Sequence, residues 1–400
     1  MRKRFIGLCA ALMLALSAHA CATQVMVVSD IHYMAKELYE DSDLSLRALR
    51  AGDGKLTQHS DELMEALCRE VERHGPDALI VTGDLSFNGE RASHLALAKW
   101  FARIEGEGTP VWVIPGNHDI NVSTARGFRG DEWYYADTVT PEEFSAIYGD
   151  FMLPPEGAAN LSYAVQVDER LRIAMTDAAF YQDGAQTFGL FTAGHAAWLE
   201  RVLEEAEGAE VVTASHHNLL PHTQFSRESF VMFGSETMAG VMVKRGVRLN
   251  LSGHIHAQHI AREGHLTDAA LGAFCAWPHR YALLTLEDDG TLVYEAESLD
   301  GALLPEGFLE ASRAWFFGIT REKTRAAIAD VEGDEGDAMA DYVARFNLAY
   351  FSGTYRSDDP SWKDDPAYGL WLGHRDSPYW QYLDMVMNEP NGDNLYCRME

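Results

Sequence analysis

Ala78-Leu79-Ile80-Val81-Thr82-Gly83-Asp84 is a short apolar run that stops abruptly on a glycine and a carboxylate. Four apolar residues in a row with no polar alternation describe a strand covered on both faces, as in a parallel sheet. A carboxylate just past such a strand marks a loop at the sheet's edge. The same grammar recurs on both sides. Residues 24–29 form a strand-like run that ends in Asp30-Ile31-His32, and residues 110–114 form one that ends in Pro115-Gly116-Asn117-His118-Asp119. Between the first two strands, Ser60 starts a helix that runs to about His74 and closes on Gly75-Pro76. Between the second and third, residues 90–104 place Leu95, Leu97, Ala98 and Phe101 at helical spacing. The βαβαβ order predicts an α/β fold with a central sheet and flanking helices.

Further along, residues 120–160 read as an insertion rich in aromatic, acidic, glycine and proline residues, with Thr140-Pro141-Glu142-Glu143 as a helix start. Strands are expected at 161–167 and 171–176, and a helix from Thr192 to about 207. Strands at 210–214 and 247–251 then deliver Ser215-His216-His217-Asn218 and Gly253-His254-Ile255-His256. Strand-like segments continue to about 297. From about 301 the texture changes. Gly333 to Asp337 reads as a break, after which Met339, Tyr342, Val343, Phe346 and Tyr350 repeat at helical spacing, with Trp362, Trp371 and Trp380 beyond. So many large aromatics predict a docked, mostly helical C-terminal extension over 301–400.

The chain of 400 residues is 47% hydrophobic and 11% aromatic, enough for a large packed core. Its 32 Lys and Arg stand against 61 Asp and Glu, a formal charge of −29. Such a surface repels nucleic-acid backbones, so no nucleic-acid polymer is expected as partner. A small anionic substrate remains compatible, because bound metal cations invert the local field. Arg2, Lys3 and Arg4, an apolar stretch from Phe5 to Ala18, and Ala18-His19-Ala20 read as a signal peptide over 1–20. The expected location is therefore extracellular or in a cell envelope. Cys21 follows the cleavage site, where a bacterial lipoprotein carries its lipid, so a membrane tether there stays open. The remaining cysteines, Cys68, Cys275 and Cys397, have neither zinc-finger nor disulfide-framework spacing.

All five polar blocks follow strands, and sites in such sheets form beyond the strands' carboxyl ends. Asp30 and His32 offer one ion a carboxylate and an imidazole. Asp84 is able to bridge two ions, since a carboxylate has two oxygens. Asn117 adds an amide oxygen, and His216, His254 and His256 complete the imidazole set. This mixture favours transition metals over calcium or magnesium. Two ions about 3.5–4 Å apart would clamp a phosphoryl group.

The motifs DxH, GD, GNHD, H and GHxH occur here in that order. Over residues 24–260 the chain resembles the calcineurin-like metallophosphoesterases. Gly83 to Glu90, Gly116 to Asn121, His216-His217-Asn218-Leu219-Leu220 and Ser252 to Gln258 are similar to the exported bacterial cyclic-nucleotide phosphodiesterases in particular. The resemblance implies a layered αββα sandwich over 21–300. It implies one metal held by Asp30, His32, Asp84 and His256 and another held by Asp84, Asn117, His216 and His254. His216 rather than His217 matches the family position. The ions implied are two divalent or mixed-valence transition metals, with Fe, Mn or Zn foremost. His118 is implied as the non-ligand histidine that protonates the leaving oxygen, with Asp119 orienting it. Hydroxide attack on phosphorus then needs no covalent enzyme intermediate. The expected activity is phosphodiester hydrolysis, on cyclic nucleotides or similar diesters. The alternatives are a phosphomonoesterase or nucleotidase on the same scaffold, or a catalytically silent metal-binding envelope protein. Asn88 is read as a loop-shaping residue able to touch substrate. His222, His259, His265 and His279 are read as surface or loop histidines. Tyr33 and the Trp133-Tyr134-Tyr135 cluster are read as packing.

Overall fold

A computed structural model describes residues 22–52, 54–155, 160–182, 184–223 and 230–400. The expected signal peptide and the possible lipid site at Cys21 lie outside the described residues. Strand β1 (Thr23–Val28) is followed by α1 (Asp43–Arg50), α2 (Ser60–His74), β2 (Ala78–Val81), α3 (Arg91–Gly106) and β3 (Val111–Val113). The insertion forms a hairpin, β4 (Arg126–Arg129) with β5 (Glu132–Tyr135), and then α4 (Pro141–Ile147). Next come β6 (Tyr163–Gln166), β7 (Leu171–Thr176), α5 (Ala193–Glu204), β8 (Glu210–Ser215), α6 (Ser235–Arg245), β9 (Leu249–Ser252), β10 (His259–Glu263), β11 (Leu266–Ala270), β12 (Arg280–Leu286) and β13 (Leu292–Ser298). The C-terminal region holds α7 (Phe308–Ala327), α8 (Gly333–Phe351), α9 (Ser361–Asp364), α10 (Pro366–Trp371) and α11 (Pro378–Met387), and returns as β14 (Tyr396–Met399).

Two six-stranded sheets stack face to face, in the orders β14-β13-β12-β1-β2-β3 and β10-β11-β9-β8-β7-β6. β1, β2 and β3 run parallel, as do β7, β8 and β9. Their fully buried inner residues, such as Val25, Val27, Ile80, Ile173, Ala214 and Leu251, form one continuous core. Leu63, Leu67, Leu97 and Phe101 of α2 and α3 close the outer face of the first sheet. Trp198, Leu199, Met238 and Met242 of α5 and α6 close the outer face of the second. The architecture is the expected αββα sandwich.

Local chemistry explains the element ends. Gly75 takes a left-handed φ of 57° that stops α2. Thr140 and Glu143 form a reciprocal capping box on α4. The expected break at Gly333 to Asp337 is instead the first turns of α8. Asp334 and Glu335 sit where the positive end of the helix dipole favours carboxylates.

The C-terminal helices build their own aromatic core around Tyr342, Phe346, Trp371 and Trp380, with Ala257 of the sandwich buried in it. Polar ties fix the docking. His279 Nε2 lies 2.8 Å from Ser312 Oγ, Arg280 donates to the Ser352 carbonyl at 2.6 Å, and Gln258 N donates to the Phe351 carbonyl at 3.0 Å. The extension is not wholly helical, because β14 pairs antiparallel with β13 and completes the first sheet. Among the described residues, no helix is long and apolar enough to cross a membrane.

Candidate metal centre

Each of the five blocks lies directly beyond a parallel strand, and the loops interlock. A Cβ on Gly116 would collide with the Asp84 carboxylate and backbone, and one on Gly253 would collide with Ser29 and Asp30. Glycine is therefore the residue that lets these loops approach. Asp30, His32, Asp84, His254 and His256 all hold left-handed φ values between 42° and 69°. Such a conformation is uncommon outside glycine, and its concentration here is backbone strain held at one site by the surrounding fold.

Asp30, His32, Asp84 and His256 each place one ligand-type atom within 4.8 Å of the others. His256 Nε2 lies 3.3 Å from Asp30 Oδ1 and 3.3 Å from His32 Nε2. His216 Nε2 lies 3.2 Å from Asn117 Oδ1, and the His216 and His254 rings are 5.0 Å apart. Asp84 joins the two groups. Its Oδ2 is 3.4 Å from both His32 Nε2 and His216 Nε2, whereas its Oδ1 accepts the His118 N–H at 2.8 Å. Asp84 Oδ2 thus faces both groups, while Oδ1 is engaged by the third motif loop.

Several features test whether metal ions fit. His254 Nε2 is buried without a hydrogen-bond partner, and Asp30 Oδ1 is buried facing the His256 ring at 3.3 Å. An orphaned buried acceptor is costly unless something electropositive meets it. His216 Nδ1 lies 2.9 Å from the Thr82 carbonyl. That bond fixes the proton on Nδ1 and leaves Nε2 as a ligand, the arrangement common to metal-bound histidines. His217 instead turns to the Thr187 carbonyl at 3.2 Å and packs on His254 with ring centroids 4.4 Å apart. The residues present fit two ions.

Without ions, the buried carboxylate at Asp84 draws a proton onto the neighbouring imidazole, at the place a cation would take. Burial alone would raise the Asp84 carboxyl, but His216, His118 and His32 around it hold it well below the usual range. Burial would lower His216, yet Asp84 outweighs it and raises the ring to about 9. Burial, with the neighbouring His216, drives His254 down to about 3.

His118 and Asn88 sit at the solvent edge of this buried cluster. Asp119 does not orient His118, contrary to the sequence expectation. Its carboxylate accepts the backbone N–H groups of Leu85, Ser86 and Gly116 at 3.1, 2.9 and 2.7 Å, which ties the second motif loop to the third. Burial raises Asp119 to about 7. His118 Nδ1 faces Asn88 Oδ1 at 2.9 Å instead. Asn88 lies inside one of the quoted motifs, where it reads as a loop-shaping residue able to touch substrate.

Lys55 had no signal. It is buried, and its Nζ lies 3.5 Å from His32 Nδ1. Burial and the charge of Lys55 together hold His32 well below its ordinary value. No basic run flanks the motifs, but this single lysine brings a basic side chain to the centre. The arginines nearest the motifs in the sequence, Arg91, Arg126 and Arg129, are engaged elsewhere. Arg126 stacks over Trp133 at 4.2 Å, Arg129 over Tyr134 at 5.6 Å, and Arg91 faces Glu143. His222 and His279 are buried, not surface groups, while His265 is exposed.

The comparisons with known proteins accord with this geometry. No curated relative matches the chain. Among solved structures, a dimetal phosphatase from Danio rerio superposes with a TM-score of 0.50 at 14% identity, covering 70% of this chain and 96% of that one. GAP50, the anchor in the inner membrane complex of Plasmodium, has a TM-score of 0.44 at 10% identity, covering 75% of this chain and 95% of that one. At 14% identity the likeness to the dimetal phosphatase speaks of fold alone. Residues 303–393 match the C-terminal domain of cyclic nucleotide phosphodiesterase. Residues 23–258 match the calcineurin-like phosphoesterase profile, and the chain belongs to that family.

Proposed function

We propose that this protein hydrolyses phosphodiesters of the cyclic-nucleotide type at a dinuclear metal centre. The observation that carries the reading is the pairing of a calcineurin-like domain with a C-terminal domain of the cyclic-nucleotide phosphodiesterase type in one chain. Asp30, His32, Asp84 and His256 would hold one ion, and Asp84, Asn117, His216 and His254 the other. When bound, such ions supply Lewis acidity toward the phosphoryl oxygens and lower the pKa of water. The protein's own residues do the rest. Ligand-bearing loops strapped together by Asp119 keep the donors in place. His118, held by Asn88, exchanges a proton with the leaving oxygen. In the ligand-free protein burial lowers His118 to about 4, with Asp84 pulling the other way. An anionic substrate beside the ring adds to the pull that raises it.

Lys55 favours a second reading, a phosphomonoesterase, since an extra positive side chain suits a dianionic substrate. The test is kcat/KM for 3′,5′-cyclic AMP, bis-(p-nitrophenyl) phosphate and p-nitrophenyl phosphate on metal-reconstituted protein. A preference for the diesters supports the first reading. A preference for the monoester replaces it with the second.

A further inference from the structure

We infer that a cavity between the Gly253-His254-Ile255-His256 loop and helices α8 and α11 is a binding site for a planar, uncharged heteroaromatic ring, the nucleobase of the substrate. The inference rests on the phosphodiesterase reading for its location, though not for its chemistry.

The cavity measures about 330 Å³, at the lower end of the range of roughly 300–1,000 Å³ typical of small-molecule sites. Its floor is Ile255 and Ala257, the residues on either side of His256. Its walls come from the C-terminal region: Asn347 and Tyr350 on α8, and Tyr379 and Tyr382 on α11. Phe230, which also borders it, lies with its ring 5.2 Å from that of His254. Two residues flanking His256 and a ring packed on His254 line the cavity, so it adjoins two of the histidines assigned to the metals.

The lining selects the occupant. None of the described lining residues is charged, so none of them pairs with a phosphate or an ammonium. Aromatic walls favour a flat ring, since every heteroaromatic base offers a π-face. The polar edge is specific. The Tyr382 hydroxyl donates to Asn347 Oδ1 at 2.9 Å. That bond leaves the Asn347 amide as a donor and the Tyr382 oxygen as an acceptor, a pair able to meet the edge of a base. The Tyr350 and Tyr382 hydroxyls are both pushed above the ordinary tyrosine range by burial, so they act as neutral groups. The phosphate would sit at the metal centre and the base against α8 and α11. On this account the C-terminal helices supply substrate selectivity while the sandwich supplies the chemistry.

The test uses the full chain with Asn347→Ala and, separately, Tyr379→Ala, whose partly exposed ring is the less risky to truncate. Kinetics compare 3′,5′-cyclic AMP with an aliphatic cyclic phosphate that lacks a base. Both variants should raise KM for cyclic AMP about tenfold or more. KM and kcat for the aliphatic substrate and the metal content should stay unchanged. Adenosine binding to metal-stripped protein, followed by calorimetry, provides an arm independent of catalysis. Wild type should bind adenosine and the variants should bind it more weakly. If cyclic AMP is not hydrolysed but adenosine still binds in a manner sensitive to both variants, the diesterase reading fails and the base site stands. Absence of adenosine binding to wild type, or equal KM changes for both substrates, overturns the base site.

Discussion

The side chain of Asn88 meets His118, Nδ1 to Oδ1 at 2.9 Å, across two motif loops that Asp119 binds together. Asn88→Ala should retain both metals and lower kcat by about 10-fold or more, since an unoriented imidazole is a poorer proton donor. Asn88→Asp should do something different. A carboxylate beside the ring stabilises imidazolium and raises its pKa. The limb of the pH–rate profile that reports His118 should then move to higher pH. An unchanged profile in Asn88→Asp would show that the pair is not the catalytic relay.

Asp119 is expected to behave as a strap. Asp119→Asn keeps the size but weakens acceptance from the amides of Leu85, Ser86 and Gly116. Leaving such buried groups poorly paired costs about 1–3 kcal/mol. The denaturant midpoint should fall, and activity should fall with it only through impaired loop order. A variant of wild-type stability with abolished turnover would return Asp119 to a direct catalytic role.

Asp84→Asn addresses the shared oxygen. The amide can still accept the His118 N–H, so the loop should survive, but the anionic Oδ2 facing both His32 and His216 is gone. Elemental analysis should find fewer than the wild-type number of ions per chain, with loss at both sites. Asn117→Ala should deplete mainly one. Equal metal content in wild type and Asp84→Asn would refute the shared position.

Much of this was legible from sequence for a physical reason. The buried parallel strands are continuous apolar runs, and the polar motifs lie immediately past them, so both the fold and the residues that gather at the cluster are written in local order. What was not legible depends on contacts between distant segments. Asp119 and Asn88 sit in readable motifs, yet which of them meets His118 is decided by how two loops pack. Lys55 lies in a loop with no pattern of its own. β14 is four residues whose only reason to be a strand is the free edge of β13. The helix α8 begins in an acidic, glycine-bearing stretch that looks like a break until its charges are set against the helix dipole.

His279 offers a test of how the C-terminal region is held. It is fully buried, with Nδ1 2.9 Å from the Phe274 carbonyl and Nε2 2.8 Å from Ser312 Oγ on α7. Burial lowers it to about 4 against an ordinary value of 6.5. Between those values the unfolded chain binds a proton and the folded chain does not. Its contribution to stability is therefore present above pH 6.5 and is lost as pH falls toward 4. His279→Gln should lower stability at pH 7 by about 1–3 kcal/mol and flatten the decline over this acid window. Denaturant midpoints at pH 7, 6 and 5 read both effects. A decline as steep in the variant as in wild type would assign the acid sensitivity to other groups.

Lys55 ties the C-terminal helices to the metal centre. The segment before it is gripped by α7. Lys323 donates to the Gly52 carbonyl at 2.9 Å, Arg50 pairs with Glu322, and Gly54 packs so closely on Phe316 that a Cβ there would collide with the ring. On its other side Leu56 N donates to the Cys275 carbonyl at 2.8 Å, and Cys275 N to the Asp30 carbonyl at 3.3 Å. The lysine is therefore held against His32 from two directions. Lys55→Met preserves the stem and removes the amine. It should leave metal stoichiometry intact and weaken substrates in proportion to their charge, with a KM increase for dianionic p-nitrophenyl phosphate several-fold larger than for a monoanionic diester. Phe316→Ala, at a ring that packs on Gly54 and Phe351, should reproduce the same charge-dependent pattern in weaker form by loosening the loop. If Lys55→Met changes both substrates equally, the lysine acts only on the fold around His32. If Phe316→Ala leaves the ratio untouched, the grip of α7 has no bearing on the centre.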